Sequence, residues 1–255
     1  MGEAIARFEG KAAVYQKHRP DYPADCLDYL QRVCGWTEGS RVADVGAGTG
    51  IFTRQMLERG FEVAAVEPGA DMRRALTETL TGHARLTVYA GTDAATGLPD
   101  AWADGVTAAQ AFHWFDPQAF RAECRRILRP GGYAALIWNN RPAGHPLTLA
   151  AADICRAHCP DFTGFSGGTR WREESIREFF GSDFTKTTYD HPFIMDESAF
   201  VGRYLSASYA PRDGDAAYAS FVREIAELFR AYARDGRLLF PNQTCCYLGR
   251  PGADL

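Results

Sequence analysis

Asp44-Val45-Gly46-Ala47-Gly48-Thr49-Gly50 lies between the apolar pentapeptide Arg41-Val-Ala-Asp-Val45 and a helix-forming stretch from Ile51 to Arg59. Glycines at alternate positions remove Cβ atoms where a backbone must turn tightly and approach a ligand. The helical stretch gathers Phe52, Met56 and Leu57 near one face, and Gly60 stops it. A strand, a glycine turn and a helix in that order open a βαβ unit.

The same rhythm continues outward. Glu62-Val-Ala-Ala-Val66 reads as a second strand, and Asp71 is placed to cap a helix running to Leu80. Leu86–Ala90 and Gly105–Gln110 read as the third and fourth strands. A helix over 117–128 and the turn Arg129-Pro-Gly-Gly132 then lead into a strand over 133–139. Strands separated by single helices imply parallel pairing through right-handed crossovers, a doubly wound α/β sheet. Beyond Asn140 the spacing predicts helices over 147–159, 173–180, 198–207 and 215–235. A strand over Phe184–His191 and a closing strand-like stretch over Leu238–Leu248 complete the pattern. Helices arriving this late should sit above the carboxyl edge of the sheet, where open α/β folds bind ligands. The expected organisation is a core with an N-terminal cap over 1–144, a mainly helical lid over 145–235 and a final sheet strand over 236–255.

Composition narrows the function. The 255 residues are 46% apolar and 24% charged, ordinary proportions for a globular chain with a substantial core. Twenty-eight Lys and Arg against 32 Asp and Glu give a net charge of −4, which offers no basic field for nucleic acid. The longest apolar run, Tyr133–Trp138, falls far short of the roughly 20 residues of a membrane span, and Met1-Gly2-Glu3-Ala4 does not begin a secretory signal. Seven cysteines, an odd count without a repeated CxxC spacing, suit a reducing cytoplasm. Cys155, His158 and Cys159 share one helical face, but no second pair of ligands accompanies them and no metal site is expected. Cys245 and Cys246, adjacent in a strand, should point to opposite faces.

The glycine loop selects among nucleotides. A triphosphate loop needs Lys and Ser or Thr after the last glycine, whereas Ile51 and Phe52 stand there. The dinucleotide fingerprint is GxGxxG; this loop is GxGxG led by Asp44, which would repel a pyrophosphate and attract a cation. Glu67, held extended by Pro68, places a second carboxylate at the tip of the second strand.

With these residues the chain resembles the class I S-adenosylmethionine-dependent methyltransferases, in a small-molecule branch similar to trans-aconitate methyltransferase. Asp44–Gly50 reads as their first motif and Glu67 as their ribose ligand. Phe112-His-Trp-Phe-Asp116 and Leu128-Arg-Pro-Gly-Gly132 match later signatures, and Phe8–Tyr15 with Arg19-Pro-Asp-Tyr-Pro23 matches the N-terminal segment. The resemblance implies a Rossmann-like, mostly parallel seven-stranded sheet and S-adenosylmethionine as cofactor, leaving S-adenosylhomocysteine. It places Tyr15, Arg19, Asp44, Gly46, Ala47, Gly48, Gly50, Glu67 and Pro68 around that cofactor. Met72, Asp93, Ala94, Gln110 and Phe112 join them, with Asp93 and the backbone of Ala94 at the adenine. Asp93 reads equally as a helix cap.

The sulfonium methyl is already electrophilic, so a base is needed only where the acceptor must lose a proton. His113, following the fourth strand, is the candidate base, or else a structural support for the Trp114-Phe115 turn. Trp114, Asn139, Arg141, Trp171, Tyr204 and Tyr209 are the candidate acceptor residues, since Trp and Tyr supply apolar walls with a polar tip. Arg141 or Arg212 would anchor a substrate carboxylate. The expected partner is a small molecule, with neither nucleic acid nor membrane, bound by a monomer or homodimer. A catalytically silent module that binds S-adenosylmethionine or S-adenosylhomocysteine is the alternative.

Overall fold

Val42 and Ala43 are neighbours in the first strand, both wholly buried, yet they belong to different apolar cores. Side chains alternate across a pleated strand, so a sheet covered on both faces needs apolar residues at successive positions. The computed structural model of the chain describes residues 19–165 and 169–252, the side chains of 169–172 excepted. Its strands are β1 (Arg41–Val45), β2 (Glu62–Val66), β3 (Leu86–Tyr89), β4 (Ala103–Ala109), β5 (Leu128–Asn140), β6 (Phe184–Asp190), β7 (Phe193–Met195), β8 (Leu238–Phe240) and β9 (Gln243–Gly249). The main sheet runs β3-β2-β1-β4-β5-β9-β6. Its first five strands pair in parallel, and β9 enters antiparallel between β5 and β6. The doubly wound, mostly parallel seven-stranded sheet expected from the sequence is the fold.

One face packs against α1 (Ala24–Cys34), α2 (Ile51–Glu58) and α3 (Ala70–Thr79) through Leu27, Leu30, Phe52, Met56 and Leu76. The other is covered by α4 (Pro117–Ile127) and α6 (Thr169–Phe180), whose Phe120, Ile127, Ile176 and Phe179 meet Val106, Leu136 and Trp138. A third cluster joins α5 (Pro146–His158), α7 (Glu197–Leu205) and α8 (Tyr218–Tyr232) to the β7–β8 ribbon. Cys245 faces the first cluster and Cys246 the second, as alternation requires.

Several boundaries differ from the sequence reading. The stretch over Leu238–Leu248 is two strands: Pro241, which has no N–H to continue a ladder, separates β8, paired with β7, from β9 in the main sheet. Asp71 does not cap α3; Gly69 is the cap residue, and Asp71 pairs with Arg74 within the first turn. Helix α6 covers the sheet beside α4 and is not part of the third cluster, because Phe179 and Phe180 need an apolar surface that only the sheet supplies. Helix α1 and strand β7 are additions to the reading. α1 buries Cys26, Leu27 and Leu30 and ends at Gly35, which takes a left-handed φ of 68°.

Candidate active site

The glycine loop is fixed before any ligand arrives. The amides of Gly46 and Ala47 both donate to the carbonyl of Val66, at 2.8 and 3.1 Å, binding the loop to the end of β2. The next amide, Gly48 N–H, donates 2.9 Å to one Glu67 carboxylate oxygen, while Gly69 N–H donates 2.8 Å to the other. Gly46, Gly48 and Gly50 all take positive φ (73°, 58° and 85°). A Cβ at Gly46 or Gly50 would strike Ala111 or Leu76, whereas at Gly48 it would meet nothing within 4 Å. The loop is therefore packed on both sides and open at its centre.

That opening leads to a pocket lined by Tyr22, Asp44, Gly46–Thr49, Ile51, Phe52, Ala109 and Gln110. Among the described residues no Lys or Arg lines it. Asp44 is 1% exposed, and its carboxylate accepts from Thr53 Oγ1 at 2.6 Å and Thr107 Oγ1 at 3.0 Å. Burial pushes the Asp44 carboxyl up to about 6, against those two hydroxyl bonds and with help from the neighbouring charge of Glu67. Burial also raises Glu67, opposed by its bonds to Gly69 and Gly48 and by Arg73. Thr49 brings a buried hydroxyl with no protein partner into the same pocket. Gln110 adopts a left-handed φ of 56° at the end of β4, and its Nε2 donates 2.9 Å to the carbonyl of Asn139. A non-glycine residue held in that region costs energy and is characteristic of ligand sites. Two acids, an orphan hydroxyl and a bare glycine edge suit a cationic, phosphate-free nucleoside and no polyphosphate.

Around the carboxyl edge, the half-buried His113 sits in a 3₁₀ turn over Phe112–Trp114, its ring 5.0 Å from that of Trp114. Its Nδ1 accepts the indole N–H of the wholly buried Trp138 at 3.3 Å. Arg141 follows β5 and lies over the rings of Phe165, Tyr204 and Phe240, at 4.2, 5.0 and 5.5 Å. Arg19 reaches Ser206, donating 3.1 Å to its hydroxyl.

Comparison with known proteins agrees with this geometry. The methyltransferase domain family matches residues 43–136. An uncharacterized methyltransferase of Mycobacterium tuberculosis is 39% identical over 134 residues, 52% of each chain. An uncharacterized methyltransferase-like protein of Schizosaccharomyces pombe is 30% identical over 186 residues, 72% of this chain and 70% of that one. The chain belongs to the class I S-adenosylmethionine-dependent methyltransferases. A solved structure, a candidate type II methyltransferase from Anaeromyxobacter dehalogenans, superposes with a TM-score of 0.58 at 25% identity, covering 91% of this chain and 95% of that one. In the first curated relatives the matched stretch spans about half of their length, 52%.

S-adenosylmethionine is the cofactor of this class, and the methyltransferase's own residues fit it. Asp44 and Glu67 supply acceptors for an ammonium and a ribose diol, and Thr49 an uncommitted hydroxyl. Met72 is buried beside Gly69, yet it belongs to none of the three apolar clusters. Asp93 is buried and accepts from the amide of Asp116 at 3.1 Å, so it braces the start of α4, while Ala94 is exposed. Tyr15 lies outside the described residues, as does the side chain of Trp171.

Four readings need correction. Phe112 is 1% exposed and its ring packs among Phe115, Phe120, Trp138 and Phe179, in the core and away from the cofactor pocket. His113 is unsuited to act as a base, because an indole N–H can only donate; Nδ1 therefore accepts, and in the neutral ring Nε2 carries the proton. Asn139 has committed most of its amide: Nδ2 donates to the carbonyl of Asp21, and Oδ1 accepts from Thr244 and Asn242. It ties the N-terminal segment to β9, which takes the carbonyl oxygen and leaves one N–H of Nδ2 for an acceptor. Arg212 is exposed, in a separate groove with His158 and Asp215. Cys155 and Cys159 are buried in the third cluster, while His158 turns to Glu224 and Ser220, and among the described residues no group of His, Cys, Asp and Glu is placed to hold a metal. Among them too, no helix is long and apolar enough to cross a membrane.

Thr53 and Thr107 were missed. The signal for Thr107 was the one hydroxyl in β4, directly opposite Asp44 in the β1–β4 register.

The raised Asp44 carboxyl makes cofactor binding pH-dependent. A cation beside it favours the ionised form, so binding at about pH 5.5 should release a proton that binding at about pH 8 does not. Calorimetry of S-adenosylhomocysteine in two buffers of different ionisation enthalpy measures this directly. A heat that is independent of buffer at the lower pH would refute it. In the free protein the sign is fixed as well. The folded carboxyl sits above its ordinary value of 3.8, so Asp44 favours the fold below that pH, and stability falls as pH rises from there through about 6.

Proposed function

We propose that this methyltransferase transfers the sulfonium methyl of S-adenosylmethionine to a small organic acceptor by in-line displacement. The observation that carries the reading is the pair of buried carboxylates at adjacent strand tips, Asp44 and Glu67, on either side of the open glycine edge. The bound cofactor supplies a methyl group that is electrophilic without further activation. Glu67 holds the ribose hydroxyls and Asp44 draws the ammonium, so the chain's main work is alignment and exclusion of water. Helices α5, α7 and α8 with the β7–β8 ribbon act as the layer that covers the acceptor. Because His113 offers no free basic nitrogen, the attacking atom of the acceptor arrives already unprotonated or gives its proton to water. The absence of a basic field favours a small molecule over nucleic acid, and seven free cysteines favour the cytoplasm.

Three measurements test the reading. Calorimetry should give saturable binding of S-adenosylhomocysteine and none of a nicotinamide dinucleotide. Transfer of labelled methyl should yield product from some member of a panel of metabolite acids, phenols and amines. His113→Ala should keep turnover within about threefold of the parent, where loss of a true base costs about a hundredfold or more. Tight binding with no product anywhere in the panel would assign the chain to the silent cofactor-binding class instead.

A further inference from the structure

Two arginines stand against the third apolar cluster, Arg203 buried and Arg141 half-buried. Arg203, on α7, is 2% exposed, and its guanidinium lies 4.7 Å from the centroid of Phe240 and 5.2 Å from that of Phe193. Arg141 approaches Phe240 from its own side. Nε and Nη1 of Arg203 and Nε of Arg141 are buried without any hydrogen-bond partner, and so is the hydroxyl of Tyr204 between them. Among the described residues neither arginine forms an ion pair. The acids of the surrounding helices are engaged elsewhere: Asp196 caps α7 through Ala199, Glu197 pairs with Arg230, and Glu224 with His158. Arg19 adds a third guanidinium through its bonds to the hydroxyl and carbonyl of Ser206. Burial, and then the charges of Arg141 and Arg19, disfavour the charged form of Arg203. A fold gains nothing by burying like charges without a counter-ion, and each unpaired buried ion carries a desolvation cost of several kcal/mol.

The cluster also adjoins the cofactor pocket. Arg141 stands two residues beyond Asn139, whose carbonyl is bonded to the pocket residue Gln110, and Arg19 stands three before the pocket residue Tyr22. We propose that Arg141 and Arg203 form an anion-binding subsite, with the Tyr204 hydroxyl as a third donor, and that the acceptor is a small organic anion with at least two negative charges. Arginine forks match the oxygens of carboxylates and of phosphate monoesters alike, so either group supplies the counter-ion that Arg141 and Arg203 lack. This rests on the methyltransferase reading for its role, though the subsite itself can be measured apart from it.

The test uses the full chain, saturated with S-adenosylhomocysteine and also without it. Succinate and citrate form one arm, inorganic phosphate and glycerol 3-phosphate another, and putrescine is the cationic control. Thermal shift and calorimetry should show binding in the carboxylate arm, the phosphate arm or both, and none of putrescine. Arg203→Met and Arg141→Met, which keep a chain packed on the aromatic faces, should each weaken anion binding by about a hundredfold. Affinity for S-adenosylhomocysteine should stay unchanged. The ligand-free variants should also melt no lower than the parent, because an uncompensated buried charge is gone; a purely structural arginine would melt lower when replaced. Should Arg203→Met fail to fold, Arg141→Met decides alone. No anion bound by the parent, undiminished anion binding in the variants, or a turned-over acceptor that is neutral or cationic with an unchanged KM in Arg141→Met would overturn the subsite. Anions bound without any affinity for S-adenosylhomocysteine would instead leave the subsite standing and remove the methyltransferase reading.

Discussion

Glu67→Ala should weaken S-adenosylhomocysteine binding by about a hundredfold or more, since two charge-assisted hydrogen bonds at about 1.5–3 kcal/mol each would be lost. The effect is larger than a lost contact to ligand alone. In the free protein the same carboxylate receives the amides of Gly48 and Gly69, so it also fixes the loop that faces the cofactor. Glu67→Gln should recover part of the affinity, because one amide oxygen remains an acceptor while the charge and the second acceptor disappear. Calorimetry with S-adenosylhomocysteine measures both variants. Affinity within about threefold of the parent for Glu67→Ala would mean that the donor lies away from this strand tip.

Gly46→Ala should be the most damaging single methyl group in the methyltransferase. An alanine held at a φ of 73° pays the left-handed penalty of about 1–2 kcal/mol. The new Cβ would also stand 2.5 Å from the Cβ of Ala111 and 3.0 Å from Cζ of Phe115, an overpacking worth about 1–3 kcal/mol. Neither neighbour has a flexible end that can swing aside. Together these lower the melting midpoint by about 5–15 °C for a chain of this size. Gly48→Ala provides the contrast. Its φ is also positive, but its Cβ meets nothing in the free protein. That substitution should cost only the backbone penalty in stability while blocking the cofactor pocket. Equal melting losses for the two would show that Gly46 is not packed as described. Unaltered cofactor affinity in Gly48→Ala would show that the open edge is not where the ligand lies.

Much of the cofactor side was legible because it is local. The glycine spacing, the acid leading it and the acid at the next strand tip lie within 24 consecutive residues, Asp44–Glu67, and a βαβ unit brings the two strand tips together by its handedness alone. Strand and helix existence followed for the same reason, as burial on both faces writes continuous apolar runs and glycine stops into the chain. The acceptor side was less legible. His113 read as a base from its place after β4, but its nitrogen is claimed by Trp138, 25 residues on. Asn139 read as a substrate contact, but its partners come from Asp21, 118 residues before it, and Thr244, 105 residues after it.

The amino-acid order by itself thus determined a parallel, doubly wound sheet with a cation-seeking, phosphate-free nucleotide loop, since periodicity and backbone freedom act over a few residues. Only the tertiary structure decided which polar groups remain uncommitted. Positions 141 and 203 are brought to one cluster by the helical layer folding back over the sheet edge, and no short-range pattern marks a guanidinium as lacking its acid. Whether a buried charge is paired depends on every element that packs around it, and that is settled only when the chain has closed.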